Sequence, residues 1–367
     1  MFLENQNLRS CFFNRRTLLA VAASFTVGAI AQTAAPLKIG IIYNTPIADL
    51  GWNFQHHSGI QAMEKTFGSK VKVEYVENVN EGPDAERVIR QLAQNGNQLI
   101  FTPSFGYMEP TLRVAKEFPK IVFANGTGYK QADNVASYSA KFYEARYLLG
   151  VTAGYMSKSG VSGYVAAFPI PEVLQGINAF TAGMRTVNPK AEVKVVWVNS
   201  WFDPGKETQA ANALINSGAD ILTNHTNSPA VVMEAEAKGK YSFGYQSNMV
   251  KLAPKGQLSA VVHNWGPYYT KTVGDVLAGK WKSSDTWGSY ADGFIQIAPL
   301  SSAVPKDVKD KILKLEADLK AGKVFPFSGP IKDNENRERV AAGNTMSVTD
   351  MQKMDYYVMG VTGRVPK

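Results

Sequence analysis

Short apolar strands alternate with helical segments along most of this chain, and this alternation limits the possible folds more than any other feature. Lys38 to Tyr43 is an apolar, β-branched run that stops at Asn44, Thr45 and Pro46, which favour turns. The alternation predicts strands at 38–43, 71–76, 98–102, 120–124 and about 135–139, and helices at about 53–67, 83–95, 109–117 and 144–156. Strands that alternate with helices form a parallel sheet covered on both faces.

The pattern begins again after a Gly- and Ser-rich crossing at 157–162. It predicts strands at 162–167, 192–198, 219–222, 241–245 and 257–262, and helices at 172–187, 204–217 and 228–237. We therefore predict an α/β fold of two similar doubly wound parallel-sheet lobes with a ligand cleft between them. The predicted lobes are 37–160, with a return at about 266–296, and 161–265, to which we assign about 297–367.

The amino terminus carries an export signal. Arg15 and Arg16 precede an apolar stretch that ends with an A-x-A cleavage pattern at Ala31. We predict a signal peptide over 1–31, cut after Ala31, and a periplasmic protein exported by either the twin-arginine or the Sec route. Cleavage would remove the sole cysteine, Cys11, so no thiol remains for a lipid anchor, a disulfide or a metal.

Composition excludes several classes of function. The formal charge of +8 in 367 residues is spread along the chain instead of forming a basic stripe, which argues against nucleic-acid binding. The sequence has no G-x-S-x-G, Walker or H-E-x-x-H motif, so we predict a non-enzymatic protein without a cofactor. His56 and His57 are adjacent and point about 100° apart on a helix, which makes a poor metal pair.

Candidate ligand-binding residues follow the carboxyl ends of the predicted strands, where open α/β sheets bind ligands. Trp52, at a strand–helix junction, either covers the local core or offers a flat surface to a flat ligand. Asn53 can donate and accept hydrogen bonds, although it could equally cap the following helix. Glu144 could accept from a ligand N–H or cap its helix. The other candidates near strand ends are Phe105, Gly106, Tyr143, Phe168, Asn224 and His225.

Three motifs resemble those of the Bmp/PnrA family of type I periplasmic binding proteins. The first is DLGWN at 49–53, where the family often has D-x-S-F-N. The second is NSWFDP at 199–204, matching an aromatic before D-P, and the third is EARYLLG at 144–150, similar to an E-G-x-x-x-G helix start. The resemblance covers roughly 38–325. It implies a protein that delivers purine nucleosides or related molecules to a membrane ABC permease.

The resemblance also implies that two aromatic rings, one from each lobe, sandwich the purine. The matching residues are Trp52 and Trp201, although Trp201 could instead be a core residue at a strand edge. Stacking is worth about 1–3 kcal/mol per ring face, and a micromolar complex needs about 8 kcal/mol. Stacking would therefore supply much of the affinity, and hydrogen bonds in the ring plane would choose the base.

Two segments depart from the family pattern. Nucleoside-binding members hold the ribose with an Asp in G-x-D-x-D-Q and a Lys in S-x-x-K, where this chain has GYQSNM and SAVVH. Gln246 therefore replaces the acid and His263 the lysine, with Asn264 and Trp265 as neighbours. A site built to bond a hydroxyl discriminates strongly, so these replacements favour a free purine base, adenine or hypoxanthine.

Several alternatives remain open at this point. A purine nucleoside binder of the same family differs only in ligand, and an exported nucleosidase would release a base from inosine. A sugar or amino-acid binder would share the fold. A regulator of the LacI type would need a helix-turn-helix where this chain has its leader.

Overall fold

β-Branched apolar runs form the central strands of two sheets in the computed structural model, which describes residues 35–47 and 50–366. The predicted leader and Asp49 of the DLGWN motif lie outside the described residues. The first sheet has the order β11-β5-β4-β3-β1-β2, and all its neighbouring strands are parallel. Its strands are β1 (Leu37–Ile42), β2 (Val71–Val76), β3 (Leu99–Thr102), β4 (Val122–Gly126), β5 (Val135–Ala140) and β11 (Asp285–Gly288).

The second sheet has the order β12-β10-β9-β8-β6-β7-β15, and only β12 runs antiparallel to its neighbour. Its strands are β6 (Val161–Ala166), β7 (Glu192–Trp197), β8 (Ile221–His225), β9 (Tyr241–Gly244), β10 (Gln257–His263), β12 (Ile295–Ile297) and β15 (Val361–Thr362). A small antiparallel pair, β13 (Ile331–Lys332) and β14 (Glu338–Val340), lies outside both sheets.

Helices connect the parallel strands of both sheets. They are α1 (Trp52–Phe67), α2 (Pro83–Gln94), α3 (Met108–Glu117), α4 (Phe142–Met156), α5 (Pro171–Val187), α6 (Pro204–Asn216), α7 (Ala230–Ala237), α8 (Gly266–Leu277), α9 (Lys306–Lys320) and α10 (Val348–Gln352). None of these helices is both long enough and apolar enough to cross a membrane.

The same strand order, 2-1-3-4-5, occurs in both halves of the chain. In the first sheet it is β2-β1-β3-β4-β5, and in the second it is β7-β6-β8-β9-β10. In each half the order reverses beside the first strand, and ligands of doubly wound sheets bind beyond the strand ends at this reversal. The prediction of two similar α/β units with parallel sheets is confirmed.

The chain passes between the sheets more than once. After β10 it returns to the first sheet as β11, and β12 at Ile295–Ile297 then pairs in the second sheet. Near the carboxyl terminus, β15 pairs with β7, so part of the 297–367 segment also joins the second sheet. The exact lobe boundaries stay a prediction.

Two element boundaries differ from the sequence prediction in ways that affect the site. α4 begins at Phe142, two residues before the predicted start at about 144, so Tyr143 lies with Glu144 in its first turn. β8 runs from Ile221 to His225, which makes His225 the last residue of the strand and not part of a loop. Polar residues at the end of a buried strand resemble a loop in sequence, which explains the second error.

Small residues let α4 and α5 pack closely at the junction between the two halves. A Cβ on Gly150 of α4 would lie 2.0 Å from the Phe180 carbonyl oxygen. A Cβ on Gly183 of α5 would lie 2.3 Å from the Tyr147 carbonyl oxygen. Each helix therefore uses a glycine where the other presents its backbone.

We expect Gly150→Ala to lower the free energy of unfolding by about 1–3 kcal/mol, because the added methyl must push α5 away. Gly274→Ala in α8 is the matched control, since its Cβ would meet Phe67 at an ordinary 3.5 Å. The control should keep or raise stability, by up to about 1 kcal/mol. Denaturant unfolding of both variants measures this, and equal stabilities would contradict the close contact.

Candidate functional site

A small cavity lies where the strand ends of the two sheets face each other. Its empty volume is about 310 Å³, including space that opens to solvent. The first sheet and its loops contribute Asn44, Trp52, Ser104, Phe105 and Thr127, and the second contributes Glu172, Trp201, His225, Asn227 and Gln246.

Trp52 lines the cavity and is held firmly by its surroundings. It is the first residue of α1, and its ring is 7% exposed. Its indole Nε1 donates to the Pro103 carbonyl oxygen at 2.7 Å. The preceding Gly51 has a φ of 100°, and a Cβ there would lie 2.7 Å from the Asn227 carbonyl oxygen. A glycine is therefore needed to turn the chain into α1 beside the other lobe.

Trp201 lines the same cavity from the loop between β7 and α6. Its ring meets that of Phe168 edge-on with centroids 5.1 Å apart. Its backbone oxygen accepts a hydrogen bond from the Asn227 N–H at 2.7 Å. Asp203, two residues later, caps α6 by accepting from the Lys206 N–H. The backbone of Trp201 is thus fixed by a hydrogen bond. Its ring is half-buried and packs against Phe168.

Glu172 is the acidic residue of the cavity lining, and the sequence analysis missed it. It is the second residue of α5, and its side chain is 18% exposed. Burial raises the pKa of Glu172 to about 8, against an opposing hydrogen bond from the Ser139 side chain. The sequence does contain a usable signal, because Pro171 followed by an acid, a few residues after the end of a strand, is typical of a helix start.

His225 lies beside Glu172 and is also part of the lining. Its Nε2 is 3.3 Å from Glu172 Oε1 and 3.0 Å from the Tyr245 hydroxyl oxygen. Burial, the Arg146 cation and His263 hold the pKa of His225 well below its usual range. Its Nδ1 has no hydrogen-bond partner among the residues that the structure describes. The pair is therefore a neutral imidazole next to a carboxyl whose pKa is raised.

Amides supply the remaining polar groups of the cavity. Gln246 has a φ of 66° and its Nε2 donates to Asn227 Oδ1 at 2.8 Å. Its Oε1 finds no partner within the described part of the chain. Asn53 does not cap α1, because Gly51 occupies that position. Its Nδ2 instead donates to Asn44 Oδ1 at 3.1 Å and so positions a residue that lines the cavity.

Arg146 of α4 lies buried behind His225 and Tyr245. Its two terminal nitrogens donate to Thr223 Oγ1 at 2.8 Å and to the Asn224 carbonyl oxygen at 2.6 Å. Its guanidinium carbon lies 3.9 Å from the centroid of the Tyr245 ring. A cation at this position disfavours protonation of the neighbouring imidazole.

Of the fourteen residues predicted from the sequence, five line the cavity. They are Trp52, Phe105, Trp201, His225 and Gln246. Gly106 lies just outside, where its N–H donates to Glu81 Oε1 at 3.2 Å. Phe168 and Asn53 touch the site through the neighbours described above. The sequence missed Asn44, Ser104, Thr127, Glu172 and Asn227, which also line it.

Four predicted residues lie elsewhere in the fold. Tyr143 packs against the rings of Trp287, Phe325 and Phe327. Glu144 accepts from the Tyr290 N–H at 2.7 Å, and Asn264 is exposed and donates to the Gly293 carbonyl oxygen. Asn224 is fully buried and donates to Thr226. Tyr143 and Glu144 follow the end of β5, but in the first turn of α4 neither side chain lines the cavity.

His263 and Trp265 lie behind Trp52 and do not line the cavity. The His263 ring is 5.5 Å from the Trp52 ring and 4.6 Å from the Phe142 ring, measured between centroids. Trp265 stacks on His56 at 4.6 Å. His56 is buried, and its Nδ1 lies 2.6 Å from the Tyr269 hydroxyl oxygen. These rings form a layer that backs Trp52.

Metal ligands do not cluster in the described residues. No group of three or more His, Cys, Asp or Glu side chains there could hold a metal ion. Between the two tryptophans, the lining instead offers neutral donors and acceptors together with one carboxyl group. Such a lining suits a flat, polar, uncharged molecule.

Comparison with known proteins adds independent findings. The model of a family described as "ABC transporter substrate-binding protein PnrA-like" matches residues 37–326. A purine-binding protein of Brucella abortus is 47% identical, over 95% of this chain and 100% of that protein. A Haloferax volcanii protein, named as a candidate ABC transporter glucose-binding protein, is 35% identical over 89% of this chain and 80% of its own length.

A solved structure supports the fold. The solute-binding protein of an ABC transporter system from Conexibacter woesei superimposes with a TM-score of 0.64 at 23% identity. The match covers 79% of this chain and 98% of that one. At this level of identity the likeness concerns the fold alone.

The raised pKa of Glu172 predicts a specific pH dependence of stability. Because the pKa of Glu172 is about 8 in the folded protein and 4.5 for an ordinary glutamate, the unfolded state loses this proton first as pH rises. The contribution of Glu172 to the free energy of unfolding should therefore fall between about pH 4.5 and pH 8, by up to about 1.4 kcal/mol per pH unit. Thermal unfolding should show Glu172→Gln gaining stability relative to wild type across this window. A constant difference would contradict the burial of the carboxyl.

Proposed function

Because the chain belongs to the Bmp family of PnrA-like ABC transporter substrate-binding proteins, we propose that it binds a purine base, adenine or hypoxanthine, between Trp52 and Trp201. The family assignment gives the general role, which is to bind a small molecule for a membrane transporter. Both the family and the Brucella abortus relative are described as binding proteins. The identity of the base is our inference.

One observation carries the proposal: indole rings from opposite sheets border a single cavity. Two ring faces could contribute about 2–6 kcal/mol by stacking on a flat heterocycle. A micromolar complex needs about 8 kcal/mol, so the hydrogen bonds from the lining need to add only a few kcal/mol. A purine offers edges with both donors and acceptors, which Asn44, Asn227 and Gln246 could match.

The placement of His263 favours a base over a nucleoside. The residue expected to replace the family's ribose-binding lysine, His263, is buried behind Trp52 and is 1% exposed. A ribose in this cavity would therefore need another set of partners.

The names of the relatives support two different ligands, and the geometry helps to choose between them. The relative with 47% identity is named a purine-binding protein, whereas the one with 35% identity is named for glucose. Sugar sites also use aromatic rings, so glucose belongs in any test. The neutral amides, together with the Glu172 carboxyl group whose pKa is raised, offer hydrogen-bond donors and acceptors that suit a heterocycle with ring nitrogens and N–H groups.

We also propose where the protein works in the cell and which membrane partner it has. Substrate-binding proteins of ABC transporters work in the periplasm or outside the cell, and the predicted leader at 1–31 is consistent with export. We propose a periplasmic protein that closes around its ligand and presents the closed form to a membrane permease.

A thermal-shift screen of the mature protein with adenine, hypoxanthine, adenosine, inosine and glucose tests the ligand class. A ligand at 100 times its dissociation constant adds about 2.7 kcal/mol of stability, so the base should raise the melting temperature clearly. Calorimetry should then give a lower dissociation constant for the base than for its nucleoside. Adenosine binding at least tenfold tighter than adenine, or a response to glucose alone, would overturn the proposal.

Replacement of one stacking ring gives a second test. Trp201→Ala should weaken adenine binding about 5- to 150-fold, which corresponds to about 1–3 kcal/mol. Trp281→Ala is the control, because Trp281 lines a different groove next to α8. Isothermal titration calorimetry of both variants measures the effect. Equal affinities for the two variants would mean that Trp201 does not stack on the ligand.

A further inference from the structure

We propose that Glu172, as a neutral carboxylic acid, pairs with an edge of the heterocycle on which an N–H donor and a ring-nitrogen acceptor lie side by side. The inference rests on the proposed function and deepens it, because it names the group that selects uncharged nitrogen heterocycles. Glu172 was not among the residues predicted from sequence, and none of the family motifs discussed above includes it.

The position of Glu172 suits this role. Its side chain projects from the first turn of α5 into the lining that also contains Trp52 and Trp201. It is 18% exposed, so it reaches the cavity and is otherwise enclosed. His225 Nε2 lies 3.3 Å from Oε1, and the Ser139 side chain of β5 faces the carboxyl from the opposite sheet and opposes the rise in its pKa. These two contacts fix the carboxyl at the junction between the two sheets.

The groups that face Glu172 favour its neutral form. Burial is the main cause of its raised pKa, to about 8. From β8, His225 carries no charge near neutral pH, because burial, Arg146 and His263 lower its pKa. The phenols on the remaining side, Tyr164 of β6 and Tyr245 after β9, have raised pKa values through burial. Arg146 contacts both phenol rings, at 5.2 and 3.9 Å from their centroids.

The chemistry of a neutral carboxyl matches a purine edge. A protonated carboxyl has one O–H donor and a carbonyl acceptor, so it can form two parallel hydrogen bonds with adjacent N–H and N groups. A carboxylate can only accept, and it would place a negative charge against the ring-nitrogen lone pair. Deprotonation of Glu172 should therefore remove one hydrogen bond and add a repulsion. An anionic ligand would be disfavoured for the same reason.

Calorimetry with adenine between pH 6.5 and pH 9 tests the inference on the intact mature protein. Adenine keeps its N–H proton across this range, so a change in affinity reports on the protein. For a carboxyl with a pKa of about 8, the wild-type dissociation constant should rise about tenfold from pH 7 to pH 9. Glu172→Gln should bind adenine with little pH dependence, because a glutamine amide also offers one donor and one acceptor.

Glu144→Gln is the matched control. Glu144 is another buried glutamate with a pKa raised by burial, and it bonds the Tyr290 N–H away from the cavity. This variant should keep the wild-type pH profile. Circular dichroism and melting temperature establish that each variant is folded before its binding is compared.

The outcomes separate this inference from the proposed function. Adenine binding by wild type that is flat with pH would overturn the role of Glu172 and leave the purine assignment intact. The role of Glu172 would also be overturned if adenine binding by Glu172→Gln weakened with rising pH as steeply as in wild type. The same holds if folded Glu172→Gln protein failed to bind adenine at pH 6.5. If wild type binds no adenine at pH 6.5, the proposed function itself fails and the inference fails with it.

Discussion

Burial of polar groups beside the cavity is the constraint on which the site depends. A buried donor or acceptor without a partner is destabilising by about 1–3 kcal/mol, yet Gln246 Oε1 and His225 Nδ1 have no hydrogen-bond partner in the described residues. Both atoms belong to residues that line the cavity. A ligand with matching donors and acceptors would form hydrogen bonds with such groups. It would gain affinity because binding removes the cost of leaving them unpaired. This explains why a small cavity with polar walls is better suited to a heterocycle than to an apolar molecule.

The fold was largely predictable because the strand signals are local. β-Branched runs ended by turn residues predicted the central strands of both sheets, and the repeat of the pattern predicted two similar parallel-sheet lobes. The short edge strands β11, β12 and β15 were not predicted. They have two to four residues each, and their pairing is decided by distant strands. Local sequence does not encode such pairing strongly.

The site was less predictable, for reasons that differ from residue to residue. Trp52 stood out because a large aromatic ring in a polar loop is unusual, and Trp201 because it matches the aromatic before D-P in the family motif. Tyr143 and Glu144 follow the end of β5 as expected, but neither lines the cavity, because the sequence does not show to which side of α4 their side chains point. Glu172 was missed because its environment comes from Ser139 and His225, which are far from it in sequence. The burial that raises the pKa of a carboxyl is a property of the folded chain.

Preorganisation of Trp52 links the fold to the proposed chemistry. Its indole N–H is bonded to Pro103, and the rings of His56, His263 and Trp265 surround it with centroids 4.5–5.5 Å away. A ring held in this way loses little freedom when a ligand stacks on it, so more of the stacking energy remains as affinity. Trp201 has fewer ring contacts, with Phe168 and His225 as its aromatic neighbours in the described residues. The two walls of the cavity therefore differ in rigidity, and closure would bring the less constrained ring onto a base already resting on the fixed one.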